Sequence, residues 1–553
     1  MTIRDKIEQM VREASQEAQA RGLLPQMTLP DVLVERPQNP EHGDYAATAP
    51  LKLARAARMK PLAIAQHLMD LLKPAEEIDT ITMVPPGFIN FSLKKEWLKG
   101  QVGSILAAGS SYGDLEMGGG ERVQVEYVSV NPTGPLHIGH GRGAVLGSTL
   151  ARVLKSAGFS VEQEYYINDA GTQMDNFYRS LYVRYLQELG VEAAMPPEGY
   201  MGEYVKELAR EIISEEGDRF KNLAQEGAVR ELGDIGLRKM VDSIQEDLWQ
   251  VGVVHDVWFS EQSLFDSGQY DKALGILRSG GYTQGKEGAI WLVSTALGED
   301  KDNVLVRSSG HPTYFASDVA YHYNKFVERG FDRVINIWGA DHQGHISRMK
   351  AVVNAMGINP DRLQIIVTQM VALRRGEEVV KLSKRSGDII TLREVAEEVG
   401  TDACRFFFLA RSADSQMDFD LELAKRRSVD NPSYYVQYAH ARISSILRLA
   451  EERGIGYDDG DVALLCTDAE LALIRQMLRL PEVVELVART LEPQHLPYYA
   501  QELATHFHSF YERCRVVSDD EALTGARLKL VKAAQIVLAK TLDLMGMTAP
   551  ERM

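Results

Sequence analysis

Two rhythms alternate along this chain: apolar residues at helical spacing, and short β-branched runs that interrupt it. Near the start, Ile7, Met10, Val11, Ala14 and Ala18 make a helical stripe. Helices are predicted over Ala46–Ala57 and from Pro61 to Leu72, the latter with proline in its first turn. Met83–Leu93 reads as extended around the Pro85-Pro86-Gly87 turn. The middle of the chain changes character. Arg122–Val130 has the content of a buried strand. Asn131–Pro135 is a turn cluster, and from Ile138 the residues Val145, Leu146, Leu150, Val153 and Leu154 return to helical spacing. A second strand is predicted at Val161–Ile167, a turn at Asn168–Gln173, and then a long helical, charged region at 172–265, read as a solvated face. A strand-to-helix passage starts at Thr313–Asp318. A strand at Arg333–Trp338, a helix to Met356 and a strand-like run at Leu363–Leu373 follow, and from 395 the pattern is helical to the end.

This alternation predicts an α/β fold with a doubly wound parallel sheet, whose ligands sit beyond the carboxyl ends of the strands. Three units are expected. A small α+β unit at residues 1–115 ends at the glycine-rich stretch Met117–Glu121. A central domain at 116–395 carries a helical insertion at about 170–290, and an α-helical bundle occupies 396–553.

Composition acts mainly by exclusion. A length of 553 residues suits three or four domains, and 45% hydrophobic with 25% charged residues is ordinary for a globular chain. No apolar run reaches a membrane span and the N-terminus has no signal-peptide core, so no membrane partner and a cytoplasmic location are expected. Cys404, Cys466 and Cys514 stand singly, which argues against disulfides or a cysteine zinc site and predicts buried, inert thiols. A net charge of −17 disfavours an extended non-specific nucleic-acid binder. A polyanion would need a local basic surface, with salt-sensitive affinity.

Candidate chemistry concentrates in Glu126–Arg142, which reads Glu-Tyr-Val-Ser-Val-Asn-Pro-Thr-Gly-Pro-Leu-His-Ile-Gly-His-Gly-Arg. Strand, tight turn and helix put His137 and His140 at a helix entrance, where unpaired N–H groups and the positive dipole end suit phosphate. The two histidines, at i and i+3, share a face. Gly139 and Gly141 remove side chains where a ring or a phosphate could touch backbone. Downstream, Val380–Gly387 is a basic turn with Ser383 between Lys381 and Lys384, point charges able to clamp a triphosphate. Unflanked, the two stretches would read as a solvated helix start and an exposed basic loop.

The flanks add a family. His137-Ile-Gly-His140 resembles the first signature of class I aminoacyl-tRNA synthetases, without a substitution. Lys381–Arg385 resembles the second, with Leu382 for Met and Arg385 for the last Ser. The wider setting from Glu126 through Asn131-Pro-Thr-Gly-Pro-Leu-His137 is similar to the arginyl-tRNA synthetases. So are Asn39-Pro-Glu-His-Gly-Asp-Tyr-Ala46, Pro86-Gly-Phe-Ile-Asn-Phe91 and Tyr434-Tyr-Val-Gln-Tyr-Ala-His440. The resemblance spans nearly the whole chain. It implies a Rossmann-type catalytic domain, an N-terminal domain touching the outer corner of tRNA, and an anticodon-binding helical bundle.

It also implies a reaction: ATP-dependent formation of arginyl-adenylate, then transfer to the tRNA 3′ end during translation, with activation waiting for bound tRNA. ATP with Mg²⁺ is the implied co-substrate, tRNA and arginine the partners, with no structural zinc and a monomeric state. By resemblance, His137, His140, Lys381 and Lys384 are catalytic, and Pro135, Gly139, Gly339, Asp341, His342 and Ser383 join them around ATP. A buried guanidinium needs carboxylates and acceptors in fork geometry. Asp318 takes that role by resemblance, with Tyr314 one helical turn away, while Glu126 and Asn131 hold the α-amino end. Asn39, Tyr45, Tyr434, Tyr435 and Gln437 are the implied tRNA contacts. Tyr434, Tyr435 and Tyr438 fit base stacking and core packing equally, and His42, Asp44 and Tyr45 fit turn and packing as well as contact. Competing readings are a class I synthetase of another specificity and an inactive tRNA-binding relative. The intact histidines and lysines speak against the latter.

Overall fold

Five strands build the central sheet: β1 Arg122–Glu126, β2 Ser160–Ile167, β3 Val257–Ser260, β4 Arg333–Gly339 and β5 Leu363–Thr368. They lie in the order β5-β4-β1-β2-β3, and every pairing is parallel. The order reverses between β1 and β4, so the crevice at their carboxyl ends is the topological switch point. The computed structural model describes residues 2–31, 34–37, 39–73, 75–376, 378–379 and 390–553. The basic turn with Lys381, Ser383 and Lys384 lies outside them.

Helix α1, Ile138–Ser156, returns the chain from β1 to β2 and is buried along most of its length. It comes close enough for the ring of Tyr127 to lie where a side chain at position 147 would begin, so only Gly147 fits. Two further helices, α2 Tyr314–Tyr323 and α3 Ile346–Ala355, belong with a second apolar core that includes Phe315, Val319, Val334 and Val352.

Several predicted boundaries shift, each for a local reason. β1 ends at Glu126 rather than Val130, because Val128 and Ser129 take positive φ, 72° and 43°. The bend is held from β2: Tyr166 N–H donates to Ser129 Oγ at 3.1 Å, and the Tyr165 hydroxyl donates to Val130 O at 2.8 Å. The run Leu363–Leu373 divides, since Val371–Arg375 pairs with Met417–Asp420 in a separate small sheet. The helical reading of 172–265 misses β3, whose four half-buried residues are too few to show a period. Before β3, the helices Thr172–Glu188, Glu203–Glu216 and Gln225–Gln250 close around Phe177, Leu181, Tyr185, Ile212 and Leu232. After it comes an antiparallel sheet of Thr283–Lys286, Ala289–Leu292 and Asn303–Val306, so the strand preceding Tyr314 is not part of the parallel sheet.

In the N-terminal part, Ile7, Val11, Ala14 and Ala18 are buried along the helix Ile3–Ala20. Residues 45–47 form a strand, so the next helix starts at Ala49 rather than Ala46, and the one after it stops at Met69. A helix the periodicity missed, Lys95–Ala108, buries Leu98, Val102 and Ile105 and packs on Asp468–Met477 and Glu521–Leu544 of the C-terminal bundle. The glycine-rich stretch is fastened down: Gly118 N–H donates to Ala157 O at 2.9 Å and Ser160 N–H to Glu121 O at 2.9 Å. Cys404 and Cys514 are buried as expected, but Cys466 is exposed. Among the described residues no helix is long and apolar enough to cross a membrane.

Candidate active site

His137 is the N-cap of α1. Its Nδ1 accepts the Gly139 N–H at 3.1 Å, and His140 Nδ1 accepts the His137 N–H at 3.3 Å. The rings stack with centroids 3.4 Å apart. A neutral imidazole that accepts at Nδ1 carries its proton on Nε2, which makes that atom of each ring a donor suited to phosphate oxygens. Gly141 has a different task from the one expected of it. Its missing side chain makes room for Leu392 and Phe408, an internal packing need.

The segment that follows the basic turn is pinned to this helix start. Leu392 N–H donates to Leu136 O at 2.8 Å, and Ile138 N–H donates to Ile390 O at 3.4 Å. At the end of β4, Gly339 leads into the short exposed turn Ala340–His345, where His342 Nε2 lies 3.5 Å from the Asp341 carboxylate. β4 is next to β1, so the two predicted ATP-binding stretches flank one crevice.

Beneath that crevice runs a buried polar row. Glu126 on β1 is in register with Asn336 on β4 and with Glu164 on β2, so their side chains leave one face of the sheet. Sequence reasoning assigned Glu126 but missed its partner. Lys325, fully buried, donates to Glu126 Oε2 at 2.6 Å and to Asn336 Oδ1 at 3.0 Å. It gets there because α2 runs on into a π turn, Asn324–Glu328, which alters the direction of the side chains that follow. Glu164 is met by Arg329, Tyr321 and Gln124.

Asp318 sits inside α2, not at its cap; Thr313 is the cap, accepting the Ala316 N–H. Burial, with the Glu126 and Glu261 carboxylates nearby, pushes Asp318 up to about 7, against the pull of Lys325 and Arg348. Glu261, directly after β3, is buried where Asp318 is half-buried, and burial pushes it up to about 7 although Ser317 hydrogen-bonds it. Among the described residues neither acid has a cation within ion-pair distance, and Glu261 Oε2 has no hydrogen-bond partner. Three acids with one lysine thus stand near one another at the crevice, short of positive charge. Tyr314, at the start of α2, is 51% exposed and open to a ligand. Asn131 is exposed and donates to Gln173 Oε1 at 2.6 Å. Glu261 was legible only through β3: with that strand placed, an acid at its carboxyl end would have stood out.

The implied tRNA contacts separate. Asn39 is exposed, and Tyr434 and Tyr435 are half-buried, with Tyr434 stacked on Tyr438 at 5.9 Å. Tyr45 and Gln437 face inward, a correction to their expected role. The Tyr45 hydroxyl donates to Glu482 at 2.6 Å and the Gln437 amide to Asp402 at 2.6 Å, so neither side chain is presented to RNA. Asp44 likewise binds Arg475 at 2.6 Å, joining the N-terminal part to the bundle.

Three family models match the chain: arginyl tRNA synthetase N terminal domain over residues 1–93, tRNA synthetases class I (R) catalytic domain over 101–413, and DALR anticodon binding domain over 436–553. An arginine–tRNA ligase of Dehalococcoides mccartyi is 57% identical over 553 residues, covering 100% of this chain and 99% of its own. One from Heliobacterium modesticaldum is 51% identical over 534 residues, covering 95% and 94%. The solved structure of Thermus thermophilus arginyl-tRNA synthetase superposes with a TM-score of 0.78 at 24% identity, covering 100% of both chains, and agrees in fold.

Proposed function

The chain belongs to the arginyl-tRNA synthetase family, and from that premise we propose how its own residues divide the work. The protein ligates arginine to tRNA. The arginine carboxylate attacks the α-phosphorus of ATP, giving arginyl-adenylate and pyrophosphate, and a ribose hydroxyl at the tRNA 3′ end then takes the arginyl group.

The observation that carries the residue assignment is the pair of acids at the crevice of the parallel sheet, half-buried Asp318 and buried Glu261, neither with an ion-pair partner among the described residues. Such acids suit a ligand that brings its own cation. Asp318 takes the guanidinium, with Glu261 as a second carboxylate and the Tyr314 hydroxyl beside them. Glu126 and Asn131 take the α-ammonium. Pro135, His137, Gly139 and His140 line the triphosphate at the start of α1. Gly339, Asp341 and His342 flank the adenosine. Lys381, Ser383 and Lys384 close over the β- and γ-phosphates as charge develops, a role supported by the pinning of residues 390–392 beside Leu136 and Ile138. Mg²⁺ arrives with ATP as part of the substrate.

Asn39, Tyr434 and Tyr435 touch tRNA, while Tyr45 and Gln437 hold those surfaces from within. The division into residues 1–115, 116–395 and 396–553 follows these tasks, and the protein acts as a monomer in the cytoplasm. Binding energy gathered at the two outer units assembles the site between them. Exchange of labelled pyrophosphate into ATP tests this reading. Among all amino acids only arginine should support exchange, only with tRNA present, and less as salt rises. Exchange with a different amino acid, or vigorous exchange without RNA, overturns it.

A further inference from the structure

Neither signature calls for a lysine beneath the arginine pocket, yet Lys325 is there and fully buried. We propose that Lys325 is a positioning residue for arginine: it clamps one oxygen of Glu126 so that the other meets the substrate's α-ammonium. The proposal rests on the role assigned to Glu126 above.

Four observations carry it. First, a buried lysine–glutamate pair is poorly explained by stability, because well-packed apolar residues of similar volume serve as well or better. Second, the clamp is one-sided. Lys325 binds Oε2, and no described residue donates a hydrogen bond to Oε1. Third, the lysine is itself fixed. Its Nζ also donates to Asn336 Oδ1 at 3.0 Å and lies 4.0 Å from the centre of the Tyr321 ring. Asn336 in turn donates through Nδ2 to His322 Nε2 at 2.9 Å, and His322 Nδ1 donates to Asp318 O at 2.7 Å. Every donor in this chain finds an acceptor only if His322 is neutral, and burial holds it down at about 3. The chain therefore runs from the carboxylate assigned to one end of arginine to the backbone of the residue assigned to the other.

The fourth observation is charge. Glu126, Asp318 and Glu261 would be three acids facing a substrate with two cationic groups. Lys325 neutralises one and leaves the number that an α-ammonium and a guanidinium can match. Arg348, the other nearby cation, hydrogen-bonds Asn303 and His345 rather than any of these acids.

The test is Lys325→Met, read by the kinetics of arginine charging and by competitive inhibition with 5-guanidinopentanoate, which is arginine without its α-ammonium. The KM for arginine should rise by at least about tenfold while the KM for ATP stays within about twofold. The inhibition constant of 5-guanidinopentanoate should not move, and Lys325→Arg should recover most of the loss. An unchanged arginine KM, or a parallel weakening of the analogue, overturns the proposal. Should Lys325→Met not fold, Glu126→Gln/Lys325→Met removes both charges together. Its arginine KM should be no higher than that of Glu126→Gln alone, and a further loss overturns the proposal. Glu126→Gln by itself examines the assignment beneath: an arginine KM equal to wild type rejects Glu126 as the α-ammonium partner.

Discussion

His137 and His140 stack at the start of α1 with ring centroids 3.4 Å apart, each ring accepting a backbone N–H through Nδ1. The helix entrance thereby sets the tautomer of both, and both Nε2 atoms become donors. The pair acts as one device, in which capping fixes the orientation that the proposed phosphate role requires.

His140→Ala should therefore lower the rate of arginine-dependent pyrophosphate exchange by about 10²-fold, the scale of losing one preorganised donor. Loss of the cap interaction should destabilise by about 1 kcal/mol, visible as a small fall in Tm. A normal exchange rate in the folded variant would remove His140 from the phosphate site.

Lys384→Ala should slow activation at least about tenfold with a smaller effect on ATP affinity, as expected of an interaction made mainly in the transition state. Single-turnover adenylate formation checks it. A wild-type rate would end the clamp assignment.

Asp318→Asn should raise the KM for arginine by the equivalent of roughly 2–5 kcal/mol, since it removes a charge partner from a buried cation. The same change should not lower the Tm of the free protein, because the half-buried acid it replaces has no ion-pair partner among the described residues. Glu261→Gln should act in the same direction on both measurements. An unchanged KM in both variants would move the guanidinium site elsewhere.

Asp318 and Glu261 are both pushed up to about 7, above the usual carboxylate range. The folded free protein therefore keeps protons there that the unfolded chain has released. That contribution to stability is full at low pH and is lost as pH rises through about 7. On the proposed assignment arginine binds the ionised acids, so its KM should fall between about pH 6 and about pH 8, and its stabilising shift in Tm should grow over the same window. A flat KM across that range would mean that these acids do not meet the substrate.

Truncation should discriminate between two nearby end points. Removing residues through 93 keeps the helix Lys95–Ala108 on the bundle and should leave a folded protein with weakened tRNA binding. Removing residues through 110 also takes away Leu98, Val102 and Ile105, all fully buried. At about 1.5–3 kcal/mol for each buried side chain, that loss should abolish soluble folding. Equal solubility of the two truncations would show that this helix does not hold the bundle together.

By itself, the sequence determined what local pattern and short motifs can carry. Strand, turn and helix around His137 were legible because the residues that set them are neighbours. The helix α1 followed from the spacing of its apolar residues, and the alternation of elements was enough to infer the parallel sheet. The first signature could be matched for the same reason, since its spacing along the chain is also its spacing on a helix, whereas the role of Asp318 came from the family resemblance.

The tertiary structure decided everything that depends on register between distant strands. Glu126, Glu164 and Asn336 form one row only because three strands align side by side, and no periodicity reports that alignment. Lys325 reaches the row through a π turn, and Glu261 through a strand too short to show a period. Tyr45 and Gln437 lie in segments whose family resemblance implied contact with tRNA, but they were drawn inward, because Glu482 and Asp402 stand opposite them in the fold. Burial and pairing partners are set by the whole chain, and a buried polar group goes where its hydrogen bond can be made.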